Sequence, residues 1–302
     1  MVAGLVQLGL DSMAAAPRGI RHSHHGLSTE WAGRLRLQTL ELDGQGAWTA
    51  TMLVQDQIVL AADRLSKRFG GNTVVDQVSI AFAKGRLHSI LGPNGAGKTT
   101  LFNLLTRDLT PDSGAIRLGA TDITDLTPDR VARMGVARSY QISSVYLDMS
   151  ARENVWVAAY RARGGNPFVF WRQVTRFAET REWAFSYLQR LGLVEIADVP
   201  VRELSYGDQR LLELAVTLAC EPRIILLDEP TAGLSSKEAE RVKRVIMALK
   251  GEFSIIMIEH NVGIVMDLSD EITVMNRGAV VAHGSPFEIR ENRDVQEAYF
   301  GS

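Results

Sequence analysis

Three short runs in this chain are wholly or mostly apolar: Leu87-His88-Ser89-Ile90-Leu91, Ile224-Ile225-Leu226-Leu227 and Ile255-Ile256-Met257-Ile258. Each has strand length and lacks the polar alternation of a strand with one wet face, so the pattern predicts strands buried in a mainly parallel sheet. Pro222 and Pro230 bound the second run. Ile58-Val59-Leu60-Ala61 and Val74 to Phe82 predict further strands, around a turn at Gly70-Gly71-Asn72. A helix start is expected at Thr100 to Leu105 and a helix over Gln209 to Ala219. Residues 142–200 read as mostly helical and rich in aromatics: Trp156, Tyr160, Phe168, Phe170, Trp171, Phe177, Trp183, Phe185 and Tyr187. Gly164-Gly165-Asn166-Pro167 breaks that run. Aromatics at helical spacing are most often core, and a docking surface is the alternative for some of these. Strands alternating with helices give an α/β fold class.

The polar residues that follow the buried runs carry the chemistry. Gly92-Pro93-Asn94-Gly95-Ala96-Gly97-Lys98-Thr99-Thr100 fits the pattern Gly-x-x-x-x-Gly-Lys-Ser/Thr and lies between a predicted strand and a predicted helix, the context a phosphate loop requires. Gly92, Gly95 and Gly97 let the backbone curl so that N–H groups point at phosphate oxygens. The helix N-terminus adds partial positive charge. Lys98 is expected to reach the β- and γ-phosphates, and the Thr99 hydroxyl to bind Mg²⁺. Asp228 and Glu229 stand at the carboxyl end of the second run, where open α/β sheets bind ligands. Asp228 is expected to hold Mg²⁺, directly or through water, and Glu229 to orient or deprotonate an attacking water.

Further motifs follow the phosphate loop in a fixed order: Gln141, then Leu204-Ser205-Tyr206-Gly207-Asp208-Gln209, then the acid pair, then His260. With these the chain resembles the ATP-binding subunits of ABC transporters, from about Leu60 to Gly301. The resemblance implies a P-loop NTPase core over 58–301, flanked by an antiparallel β-subdomain and a helical subdomain at about 142–215. It implies ATP and Mg²⁺ as cofactors. Gln141 resembles the glutamine that touches Mg²⁺ and water and relays motion to membrane subunits. His260 resembles the switch histidine on the γ-phosphate. Phe69, in Lys67-Arg68-Phe69-Gly70-Gly71, resembles the aromatic that stacks on adenine, with a core residue as the alternative. The phosphate-loop positions Gly92, Asn94, Gly95, Ala96, Gly97, Lys98, Thr99 and Thr100 are the implied ATP contacts. Ser205, Gly207 and Asp208 lie in the signature loop, which is implied to bind the ATP of a partner subunit. Tyr206 and Asp208 depart from the general Gly and Gln of that loop, and Ser235, in Ala232-Gly233-Leu234-Ser235, stands where many members carry Asp or Asn.

Arg138 to Val145, Asn276 to Pro286 and the ending Asp294 to Gly301 resemble the branched-chain amino-acid uptake branch. In that branch two different ATPases usually serve one transporter, and related branches import urea or short amides. The implied partners are a second ATPase, a paralogue or a second copy, two membrane permeases and, indirectly, a periplasmic solute-binding protein. The implied location is the cytoplasmic face of the inner membrane, as a peripheral subunit. Lipid and lipopolysaccharide export ATPases are close alternatives. A soluble ABC protein acting on DNA or ribosomes usually has coiled-coil inserts or two cassettes; this sequence has one cassette and no heptad run. A nucleotide-binding regulator without turnover is disfavoured by the presence of Lys98, Glu229 and His260.

Composition narrows this only slightly. The 302 residues carry a net charge of −2, so there is no global basic field to recruit nucleic acid. Cys220 is the one cysteine, which rules out an intrachain disulfide. No apolar run of roughly 18 residues or more occurs, so membrane association is expected through partners. Residues 1–57 contain no Lys and read as a disordered extension, with Met52 as an alternative start. Met1 to Leu10 lacks the basic n-region of a signal peptide. The histidines in Arg21-His22-Ser23-His24-His25 fit a solvated tail better than a metal site, because no Cys or second His pair flanks them.

Overall fold

The computed structural model describes residues 40–42, 48–50, 58–139, 145–164, 174–293 and 295–296, with 40–42, 48–50 and 174–179 as backbone only. Gln141, the aromatics Phe168, Phe170 and Trp171, the histidines at 22, 24 and 25, and the ending 297–301 lie outside the described residues. The chain divides into two units, Met1–Val54 and Gln55–Ser302. In the first, β1 (Leu40–Leu42) pairs antiparallel with β2 (Trp48–Ala50), an element the sequence pattern does not predict.

The second unit is built on two sheets. The larger has six strands: β5 (Leu87–Leu91), β8 (Val136–Ser139), β9 (Ile224–Asp228), β10 (Ser254–Ile258), β11 (Glu271–Asn276) and β12 (Ala279–Gly284). Their order is β12-β11-β5-β10-β9-β8, with every neighbouring pair parallel except the β11–β12 edge. The three apolar runs are the neighbours β5, β10 and β9, and all but Asp228 of their residues are buried. Their side chains alternate between two cores. Ile225, Leu227, Ile255 and Met257 pack with helical residues such as Leu188, Leu211 and Leu218. Ile224, Leu226, Ile256 and Ile258 pack on the other side with Leu101, Phe102, Leu104 and Leu105. A strand covered on both faces shows no polar alternation, and its few polar residues are paired, as His88 is with Thr273 and Ser89 with Ser269.

The smaller sheet, ordered β4-β3-β6-β7, is antiparallel and covers the second core. It comprises β3 (Ile58–Phe69), β4 (Asn72–Ala83), β6 (Ser113–Leu118) and β7 (Thr121–Asp122). β3 is longer than the predicted Ile58–Ala61. Register shifts interrupt its pairing with β4, and Arg64 sits at φ 47°, so the apolar run ends at Ala62 although the pairing resumes. The hairpin closes at the predicted turn, with Phe69 opposite Asn72.

The helices are α1 (Lys98–Leu105), α2 (Pro128–Arg133), α3 (Ala151–Ala162), α4 (Val174–Arg190), α5 (Tyr206–Ala219), α6 (Ser236–Leu249), α7 (Val262–Leu268) and α8 (Pro286–Glu291). In α3, Ser150 caps the start through a reciprocal pair with Glu153. The α3–α5 region holds most of the predicted aromatics. Trp156, Trp183, Phe185 and Tyr187 are partly buried against the first core, and Tyr160 is buried. Trp156 stacks on Tyr160 with centroids 5.4 Å apart, and the Arg163 guanidinium lies 3.9 Å from the Trp183 centroid. Of the predicted aromatics whose side chains are described, Tyr160 is buried and the other four line the edge of the core with part of their surface open.

Because Ile256 lies in a central strand at 1% exposure, Ile256→Ala is expected to lower unfolding stability by about 2–5 kcal/mol. Val281→Ala, on the edge strand at 39% exposure, is expected to cost less than about 1 kcal/mol. Urea unfolding of both variants checks this; equal losses would contradict the assignment of the central core.

Candidate functional site

The phosphate loop leaves the buried end of β5 and turns into α1. It packs against other backbone so tightly that two glycines are required. A Cβ on Gly92 would lie 2.4 Å from the Met275 carbonyl oxygen, and one on Gly97 would lie 2.4 Å from that of Val74. Gly97 also caps α1 at φ 94°, a conformation L side chains rarely adopt. The loop is tied to its surroundings by Gly278 N–H, which donates to Ala96 O at 3.1 Å. Gly278 O in turn accepts from Asp76 N–H at 2.8 Å. Thus β4 and the β11–β12 turn brace the loop from outside.

Lys98 opens α1 at 5% exposure. Its ammonium donates to the carbonyls of Gly92, at 2.6 Å, and Pro93, at 3.0 Å. Burial pushes its pKa down, opposed by the nearby Glu229 and Asp228 carboxylates. Lys98, Asp228 and Glu229 therefore share one electrostatic neighbourhood. Asn94, Gly95 and Thr99 are exposed, Thr100 is half-buried, and Gly92, Ala96 and Gly97 are buried.

Asp228 ends β9 and pairs with Arg138 of the adjacent β8, guanidinium to Oδ2, at 2.6 Å. Arg138 is nearly buried and also donates to Asn103 Oδ1 at 2.5 Å, which ties the strand before Gln141 to the helix after the phosphate loop. Next, Glu229 adopts φ 49° and its N–H donates to Ile258 O at 2.9 Å. This turn carries its side chain to His260, whose Nε2 lies 2.5 Å from Glu229 Oε1. An ionised carboxylate only accepts, so His260 donates from Nε2. Glu259, directly before His260 and 3% exposed, accepts from Thr231 and from the His260 N–H.

Ser205 caps α5, so the helix begins at Tyr206 and not at the predicted Gln209. The Ser205 hydroxyl accepts from Asp208 N–H at 3.1 Å and donates to Asp208 Oδ2 at 2.7 Å. A Ser-Tyr-Gly-Asp stretch reads as a loop, whereas a Ser N-cap followed by Asp in the first turn starts a helix. Asp208 Oδ1 also binds the Arg241 guanidinium at 2.5 Å, and Gly207 N–H donates to Glu238 Oε1 at 3.2 Å. Glu238 completes a capping box with Ser235 at the start of α6, which gives that serine a structural role. Tyr206 OH accepts from Arg210 at 2.6 Å. These contacts make the signature residues a cluster of their own, anchored on α6. Phe69, at the β3–β4 turn, is 48% exposed, which excludes the core alternative.

The structure thus brings together Lys98, Asp228, Glu229 and His260, and separately Ser205, Gly207 and Asp208. Sequence reasoning did not single out Arg138, Glu238 or Glu259 as site residues. Arg138 and Asp228 are 90 residues apart, and Gly207 and Glu238 are 31 apart. Only Glu259 left a sequence signal, a charge placed directly between a fully apolar strand and the histidine.

Among known proteins, the ABC transporter family matches residues 75–232. The chain is 39% identical over 249 residues to the high-affinity branched-chain amino acid transport ATP-binding protein BraF of Pseudomonas aeruginosa, covering 80% of this chain and 98% of that one. It is 38% identical to LivG of Escherichia coli K12, the protein of the same description there, over 81% of this chain and 98% of the relative. It is also 34% identical to the lipopolysaccharide export system ATP-binding protein LptB of Acidithiobacillus ferridurans, over 80% and 97%. A crystal structure of a nucleotide-free ATP-binding cassette from an ABC transporter superposes with a TM-score of 0.71 at 29% identity, covering 81% of this chain and all of that one. A second, the ADP conformation of such a cassette, gives 0.70 at 29% identity. Likeness at this level along nearly the whole length of these relatives, in a fold whose polar residues converge as described, places the chain in the ABC transporter family as one of its ATP-binding, ATP-hydrolysing subunits.

Proposed function

We propose that the chain powers an importer of branched-chain amino acids or of a related small polar solute. The observation that carries the chemical part is the Glu229–His260 contact at 2.5 Å, in the neighbourhood of Lys98. The solute follows from the likeness to BraF and LivG. The export reading rests on the lower identity to LptB and takes second place.

Each candidate residue has a chemical task in this reading. Lys98 exchanges its two carbonyl partners for the β- and γ-phosphate oxygens. Phe69 is exposed and free to stack on an adenine. The Thr99 hydroxyl and the Asp228 carboxylate, with the amide oxygen of Gln141 that the family resemblance adds, are the hard oxygen donors that would hold Mg²⁺, which would neutralise phosphate charge. The Arg138 guanidinium already on Asp228 Oδ2 fits a carboxylate positioned to take positive charge. Glu229 accepts the proton of the attacking water, and His260 holds that carboxylate by its Nε2–H. Ser205, Gly207 and Asp208 act on the nucleotide of a second ATPase, a paralogue or another copy. Among the described residues no helix is long and apolar enough to cross a membrane, so the peripheral position at the inner membrane is reached through permease subunits.

Glu229→Gln keeps the shape of the side chain and loses the base. Its turnover is expected to fall by at least about a hundredfold with ATP binding unchanged. Steady-state hydrolysis beside nucleotide titration checks this, and full turnover would remove Glu229 from its role. Disrupting the gene in the source cell is expected to abolish high-affinity uptake of labelled leucine. Normal leucine uptake with defective lipopolysaccharide transport would establish the export reading in its place.

A further inference from the structure

We infer that Glu259 is a positioning residue that holds His260 on Glu229 by tying together the loops that leave β9 and β10. This rests on the roles proposed above for Glu229 and His260.

A carboxylate at 3% exposure is costly to bury unless both oxygens are satisfied. Glu259 divides its two oxygens between two loops. Oε1 accepts from the Thr231 N–H at 2.9 Å and from the Thr231 hydroxyl at 2.5 Å. Oε2 accepts from the His260 N–H at 3.0 Å, with the Asn261 N–H further off at 3.4 Å. Thr231 lies two residues after Glu229, and His260 follows Glu259 directly. The carboxylate is therefore a bridge whose two ends sit beside the two members of the Glu229–His260 pair.

The backbone makes a matching bridge. Ile258 is in register with Asp228, and Glu229 N–H donates to Ile258 O at 2.9 Å. Past that bond the two strands stop pairing, and both loops must be fixed by side chains. Asn261 adds a second restraint on the far side, since its Oδ1 accepts from Ile264 N–H at 3.2 Å and caps α7. His260 is itself exposed, so packing does not fix its backbone; the restraints on either side of it do.

A carboxylate suits this bridge because both of its oxygens accept, and the backbone N–H groups of Thr231, His260 and Asn261 that face it can only donate. A glutamine has one acceptor end and one donor end. Whichever way it is turned, one of the two loops loses its acceptor and meets a donor with a donor. Aspartate is shorter by one methylene and reaches one loop at a time. In either case the Glu229–His260 contact is released while the phosphate loop, on β5 and α1, is untouched.

The test is a double-mutant cycle on the full chain, with ATP hydrolysis and nucleotide binding both measured. Glu259→Gln is expected to lower kcat by roughly tenfold to a hundredfold, the scale of a small misplacement of a reacting group, with KM for ATP unchanged. Placed on a His260→Ala background, the same substitution is expected to have no further effect, because what it positions is gone. Thr231→Val removes one donor and keeps volume; it is expected to give a smaller loss of kcat that also vanishes on the His260→Ala background. It serves in the same cycle if Glu259→Gln does not fold. An equal fold-loss on both backgrounds would show a structural role and overturn the inference, as would a wild-type kcat in Glu259→Gln. Wild-type turnover in His260→Ala alone would overturn the reading of the site on which the inference stands.

Discussion

Strands buried on both faces leave no place for charge along their length. β5, β9 and β10 are apolar or buried up to their carboxyl ends, and their parallel order makes all three stop on the same side of the sheet. The polar groups that follow are thus delivered to one place: the phosphate loop and Lys98 from β5, Asp228 and Glu229 from β9, Glu259 and His260 from β10. The site is a consequence of where the two cores end. Burial supplies the rigidity, since Ile224, Leu226, Ile256 and Ile258 share one core with α1, the helix that Lys98 opens.

Delivery alone does not fix geometry, and the structure adds a small number of polar links at the rim. Arg138 ties β8 to Asp228 and to Asn103 of α1. Glu259 ties the loop after β9 to that after β10. The β11–β12 turn holds the phosphate loop through Gly278. In the signature region the same device recurs, with Glu238 and Arg241 of α6 holding Gly207 and Asp208. Each link joins elements that are neighbours in the sheet or in the helical layer and distant in the chain.

The central strands and the phosphate loop were legible in the sequence because each has a local signature. A doubly buried strand shows a short, mainly apolar run without polar alternation, and the loop shows glycines at fixed spacing before Lys98. What was not legible depended on partners far along the chain. β3 runs to Phe69 because β4 pairs with it to that point and β6 as far as Ser66, although its own apolar run ends at Ala62. The start of α5 at Tyr206 rests on the Ser205 cap, which competes with the loop-forming appearance of Tyr-Gly-Asp. Arg138 looks like any strand-end cation until Asp228 is placed beside it. The two-stranded β1–β2 pairing joins three-residue strands, too short to show a period.

The account turns on Lys98 as the group that trades the Gly92 and Pro93 carbonyls for the phosphates of ATP. Calorimetric titration of Lys98→Ala with ATP, beside its thermal unfolding, tests this most directly. Loss of charge-assisted hydrogen bonds of about 1.5–3 kcal/mol is expected to weaken binding by roughly tenfold or more, with the melting temperature little changed. Wild-type affinity for ATP in that variant would contradict the account.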